Sequence, residues 1–146
     1  MDLSQKVKIG GALRVNTVAA TAMRLRGNGK YAETTKAQKA EAIRVTFRIE
    51  GNEIATPGDK TAYIVIQNPS GKVLSEKGTF TSNDGKELPY TDTDVVDYKN
   101  VDRDVVMFVE KIPQKFVKGN YSVKVYVEGN IVGATKLELK DAFLGL

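Results

Sequence analysis

Apolar and polar residues alternate along much of this chain with the period of two that turns one face of a β-strand into a core and leaves the other in water. Ile43, Val45, Phe47 and Ile49 alternate with Arg44, Thr46, Arg48 and Glu50, and Tyr121, Val123, Val125 and Val127 alternate with Ser122, Lys124, Tyr126 and Glu128. Residues 61–67 (TAYIVIQ) and 104–110 (DVVMFVE) are nearly continuous in apolar side chains, as in central strands. Turn chemistry separates the runs: Gly27-Asn28-Gly29, Thr56-Pro57-Gly58-Asp59, Asn68-Pro69-Ser70-Gly71, Asn83-Asp84-Gly85, Lys118-Gly119-Asn120 and Gly129-Asn130. This spacing predicts an all-β protein, an antiparallel immunoglobulin-like β-sandwich of about eight or nine short strands. Only 35–42 and 141–146 offer helical composition, and the first runs straight into the Ile43 strand, so extended structure or one turn is expected there.

Two local details sharpen the fold. A two-residue loop at Gly129-Asn130 would turn Ala134, Lys136 and Glu138 toward the core, so the register must shift by one, through a bulge near Gly133 or a three-residue loop, for Leu137 and Leu139 to face inward. Tyr121 enters its strand directly after the Lys118-Gly119-Asn120 turn and two residues before Val123, the pattern of the tyrosine corner of immunoglobulin-like sandwiches. The expected inward set is Ile43, Val45, Phe47, Ile49, Ile64, Ile66, Tyr121, Val123, Val125, Leu137 and Leu139.

Composition narrows the chemistry. The 146 residues contain no His, Cys or Trp, which excludes imidazole acid–base catalysis, cysteine nucleophiles and ordinary zinc or copper sites. The length suits one domain, expected at 13–146 behind a tether at 1–12. The stretch 9–23 is broken by Arg14 and Asn16 and is too short to span a bilayer, so no membrane insertion is expected. Asp92, Asp94, Asp97, Asp102 and Asp104 form the one dense acidic stretch, but alternation along a strand would make their carboxylates diverge. The Arg26-Gly27-Asn28-Gly29-Lys30 stretch reads as a hairpin and not as a phosphate loop. No catalytic residue, cofactor or metal is expected.

The net charge of +4 is unevenly spread, with nine basic and three acidic side chains in residues 1–46. That distribution leaves two kinds of partner open. The segment 17–23 (TVAATAM) is small, uncharged and free of Pro, so Thr17, Val18, Ala20 and Ala22, flanked by Arg24 and Arg26, are candidate partner contacts for strand addition by a protein or a second copy. Tyr126 points away from Val123 and Val125 and completes that set as an exposed aromatic. A nucleic acid would instead use the basic first third, with Tyr31, Phe47 and Tyr126 as stacking faces.

Arg24-Leu25-Arg26, Tyr31-Ala32-Glu33-Thr34-Thr35-Lys36, the Ile43 strand, Thr56-Pro57-Gly58-Asp59-Lys60-Thr61-Ala62-Tyr63, Asn68-Pro69-Ser70-Gly71, Lys118-Gly119-Asn120-Tyr121 and Gly129-Asn130-Ile131-Val132-Gly133 follow one another in an order that resembles a bacterial family of unknown function. Its members place a coiled coil before a C-terminal β-sandwich, and some carry a chromosome-partitioning label. The resemblance covers about residues 12 to 140 and implies a sandwich without catalytic residues. The functions left are an interaction or structural module of a larger bacterial assembly, a nucleic-acid-associated protein, and an envelope-associated domain of a secretion or motility apparatus.

Overall fold

The alternating run around Phe47 forms strand β3 (Ala42–Ile49), with Ile43, Val45, Phe47 and Ile49 buried and Arg48 exposed. The structure, a computed structural model, describes residues 13–51, 56–110 and 112–141. The tether at 1–12 and all but the first residue of the 141–146 tail lie outside the described residues.

The other strands are β1 (Val15–Leu25), β2 (Tyr31–Glu33), β4 (Gly58–Gln67), β5 (Gly78–Thr81), β6 (Glu87–Tyr90), β7 (Asp92–Tyr98), β8 (Arg103–Val109), β9 (Gly119–Val127) and β10 (Asn130–Leu139). One sheet has the order β2-β1-β3-β8 and the other β10-β9-β4-β7, with every pairing antiparallel. Their inner faces enclose one core of Ile43, Val45, Phe47 and Ile49 against Ile64, Ile66, Tyr121, Val123 and Val125, each at most 2% exposed. Leu139 is buried as well, and Leu137 packs half-buried at the rim. This is the immunoglobulin-like sandwich expected from the alternation, with ten strands in place of eight or nine. The surplus comes from short pieces such as β2 (YAE) and the β5–β6 hairpin (GTFT and ELPY), too brief to show a period of two.

The hairpin register shifts as the parity of Leu137 requires. The loop itself is Glu128-Gly129, both at positive φ, with Val127 opposite Asn130. Pairing then slips between Ile131 and Gly133, which places Leu137 opposite Tyr121. At 35–42 the chain makes one 3-10 turn (Ala37–Lys39). Just before it the backbone lies against the end of β10, where the Ala37 N–H donates to the Lys140 carbonyl and the Lys140 N–H to the Thr35 carbonyl, both at 2.8 Å. That link ties the two sheets together at one edge.

Candidate interaction surface

Strand β1 does not offer the open edge that its small, uncharged sequence suggests. It pairs with β3 at Val15, Asn16 and from Ala19 to Met23, skipping Thr17 and Val18, and with β2 from Met23 to Leu25. Its first half packs against β10, where Val18 and Val15 close on Gly133 so tightly that a Cβ there would lie 2.6 Å from Val18 Cγ2. Ala22 is fully buried, Ala20 is half-buried against the core, and Thr17 sits in a bulge at φ +56°. Of the expected contacts Thr17, Val18, Ala20 and Ala22, Ala22 is thus withdrawn into the core and Val18 is packed on Gly133, whereas Thr17 stays exposed and Ala20 half-exposed. The small, uncharged composition of β1 is legible in sequence, but β10 approaches it from more than a hundred residues away.

Tyr126 does point away from the core, yet it is not a free aromatic. The β5–β6 hairpin folds over the outer face of the second sheet and sets Phe80 edge-on to Tyr126 at 5.0 Å and stacked on Tyr63 at 4.2 Å between centroids. Tyr31 packs against Phe108 at 4.7 Å, and Phe47 is in the core. Of the three proposed stacking faces for bases, Phe47 is thus buried, and Tyr31 and Tyr126 are half-buried against other rings.

Of the sequence-derived contacts, Arg24 finds company. Arg24, Lys36 and Lys39 line a hollow of about 410 Å³ together with Thr21, Thr34 and Thr35. Its one carboxylate, Glu33, is bound to Arg44 at 2.9 Å. A second groove of about 660 Å³ shares Thr35 and Lys36 and adds Lys118, Glu138, Lys140 and Asp141, with Lys140 and Asp141 brought in by the link between 35–37 and β10. Lys118 pairs with Asp141 at 3.4 Å, whereas Arg24, Lys39 and Lys140 have no ion pair among the described residues. Lys118 and Lys140 belong to a stretch whose net charge is not basic, so their place beside the first third has no signal in the sequence. Arg26 lies in the exposed β1–β2 turn, donating its N–H to the Lys30 carbonyl at 2.7 Å.

The opposite edge is acidic. Strand β7 carries Asp92, Asp94 and Asp97, and β8 with the turn before it carries Asp102 and Asp104. Asp92 is held by Lys77 at 3.0 Å and Asp97 by Lys99 at 3.6 Å. Arg48 binds Asp104 at 2.8 Å and reaches Asp102 at 3.8 Å, and the Asp102 carboxylate also accepts the Gly51 N–H at 2.8 Å. The Arg48 hydrogen bond, followed by its charge, holds the Asp104 carboxyl below its ordinary range. Opposite β4, Asp94 pairs with inward-facing Ala62 and Asp97 with outward-facing Asp59, so the two carboxylates diverge. Among the described residues no three such side chains converge on one point. The groove of about 710 Å³ beside Arg48, bordered by Thr17, Glu50 and Asp104, is rimmed by groups already bound to each other.

The family model described as a domain of unknown function (DUF8428) matches residues 16–140, from within β1 to the residue after β10. The chain belongs to this family. No curated protein matches it in sequence. Among solved structures, this DUF8428 domain is similar to the alkylpurine DNA glycosylase AlkC of Pseudomonas fluorescens, solved bound to DNA containing an abasic site analogue. That likeness has 13% identity and a TM-score of 0.51 over 94% of this chain, and it spans only 33% of the glycosylase chain. An immunoglobulin-like protein from Pseudomonas aeruginosa shares 16% identity over 88% of this chain and 97% of its own, with a TM-score of 0.39. At these identities the likeness concerns the fold alone. Among the described residues, no helix is long and apolar enough to cross a membrane.

Proposed function

We propose that this domain is a non-enzymatic interaction module, one head of a larger assembly, and that it docks a protein partner through its charged edges. The observation that carries this reading is the gathering of Arg24, Lys39 and Lys140, three cations with no ion pair among the described residues, from separate elements onto one rim. Uncompensated charge at a surface steers and orients an oppositely charged partner more than it stabilises the fold. The coiled coil implied by the family resemblance would supply the rest of the assembly. An acidic partner segment fits this rim better than single-stranded nucleic acid, because Phe47 is buried and Tyr31 and Tyr126 are half-buried against Phe108 and Phe80.

Fluorescence anisotropy with a labelled Asp/Glu-rich peptide tests the reading. The wild-type chain is expected to bind it with an affinity that falls as salt rises, and the triple variant Arg24→Glu, Lys39→Glu, Lys140→Glu to lose at least about tenfold. Equal binding by the variant overturns the assignment of the edge. Binding of duplex DNA in place of the peptide, with a steep salt slope, turns the reading toward the nucleic-acid alternative.

A further inference from the structure

We propose that the partner is a second copy of this chain, joined head to tail, with the acidic edge of one copy against the basic edge of the next. The proposal rests on the interaction-module reading and names its partner. Residues 24–40 carry five basic side chains and one acidic, whereas 92–104 carry five Asp, one Lys and one Arg. The sheet orders place these stretches on opposite sides of the sandwich: β2 and β10 at one pair of edges, β8 and β7 at the other. Within one molecule β1 and β3 lie between β2 and β8, which touch at one end through Tyr31 and Phe108, and Asp92, Asp97, Asp102 and Asp104 form their ion pairs with Lys77, Lys99 and Arg48, none of them in 24–40. Between two molecules displaced along the sheets they must face each other.

Strand polarity allows the same arrangement. Each sheet has four strands, all antiparallel to their neighbours, so its two outer strands run in opposite directions. A copy translated without rotation therefore lays its β2 antiparallel to β8 of the first, continuing the alternation. Among the described residues strand β8 pairs with β3 alone, leaves Val106 60% exposed, and after Arg103 and Asp104 has no charge or Pro to discourage addition at its outer edge. On the other sheet the end of β10 is already bonded to 35–37, so the contact there is between side chains, Lys140 and Lys36 toward Asp94 and Asp97. Such a contact is heterologous and does not close on itself, so it builds open chains of copies and not a sealed dimer.

Sedimentation velocity of the full chain over a concentration series, at low and at high salt, tests this. The expected result is association that passes beyond a dimer at low salt and dissolves at high salt. Two variants with matched thermal midpoints complete the test: Arg24→Glu, Lys39→Glu, Lys140→Glu on the basic edge, and Asp94→Lys, Asp97→Lys on the acidic one. Each alone is expected to sediment as a monomer, and an equimolar mixture to associate again, since the reversed edges complement one another. A monomeric wild-type chain, variants that still associate alone, or a mixture that stays monomeric would each overturn the proposal. If the chain is monomeric yet still binds the acidic peptide, the copy-to-copy contact falls and the module reading stands. If it does neither, both fall.

Discussion

The Tyr121 phenol closes a double hydrogen bond on Val117, accepting its N–H at 2.9 Å and donating to its carbonyl at 2.8 Å. The ring is 1% exposed and leans on Phe116 at 5.9 Å between centroids. Four residues of chain are thereby pinned where the polypeptide crosses from the first sheet into β9. Gly119 makes the crossing possible: at φ +131° it sits so close to Pro69 that a Cβ would meet Pro69 Cγ at 2.7 Å.

Tyr121→Phe keeps the ring and removes both bonds, with an expected cost of about 1 to 2 kcal/mol in urea denaturation. Burial raises the Tyr121 pKa above its ordinary value, and the Val117 hydrogen bond opposes that only in part. A phenol whose pKa rises on folding contributes stability that is complete below its unfolded pKa of about 10 and is lost as pH climbs through the folded value. Tyr31 is raised as well, by burial and then by its hydrogen bond to Glu110. On account of these two phenols the thermal midpoint is expected to fall in alkali, and less steeply in Tyr121→Phe. An identical alkaline slope in that variant would refute the coupling.

Gly133→Ala should destabilise the domain by about 1 to 3 kcal/mol, because its Cβ would press on Val18 Cγ2. Val18→Ala opens the space, so the double variant is expected to be more stable than the sum of the two single changes implies. Additive costs would mean that β1 does not lie against β10.

Removing the lid residue in Phe80→Ala takes away a side chain that is 6% exposed and touches Tyr63, Tyr90 and Tyr126. The expected loss is about 3 kcal/mol. Tyr126 should become reachable, so acrylamide quenching of tyrosine fluorescence should rise while the far-ultraviolet circular dichroism is kept. Unchanged quenching would show that the hairpin does not cover the sheet.

Arg48→Met should let the Asp104 carboxyl titrate nearer the free value of about 3.9, followed by carbon-13 NMR. In the native chain its lowered pKa contributes stability that is present above the unfolded pKa and is lost as pH falls through the folded one. Both groups are exposed, so the neutral-pH midpoint is expected to move little. A titration midpoint that stays where it was would remove Arg48 as the cause.

The longer strands and their core face are properties of neighbouring residues, and the sequence determined them alone: the period around Phe47, the Gly119 turn before Tyr121, and the parity that forces a register shift before Leu137. The covering of Tyr126, the closing of β1 and the charged edges were decided only in the tertiary structure. Phe80 reaches Tyr126 across 46 residues, Gly133 reaches Val18 across 115, and Lys140 joins Lys36 across 104. Each meeting depends on which strands become neighbours, and a local alternation of apolar and polar residues reports which face is buried without naming the strand that lies beside it.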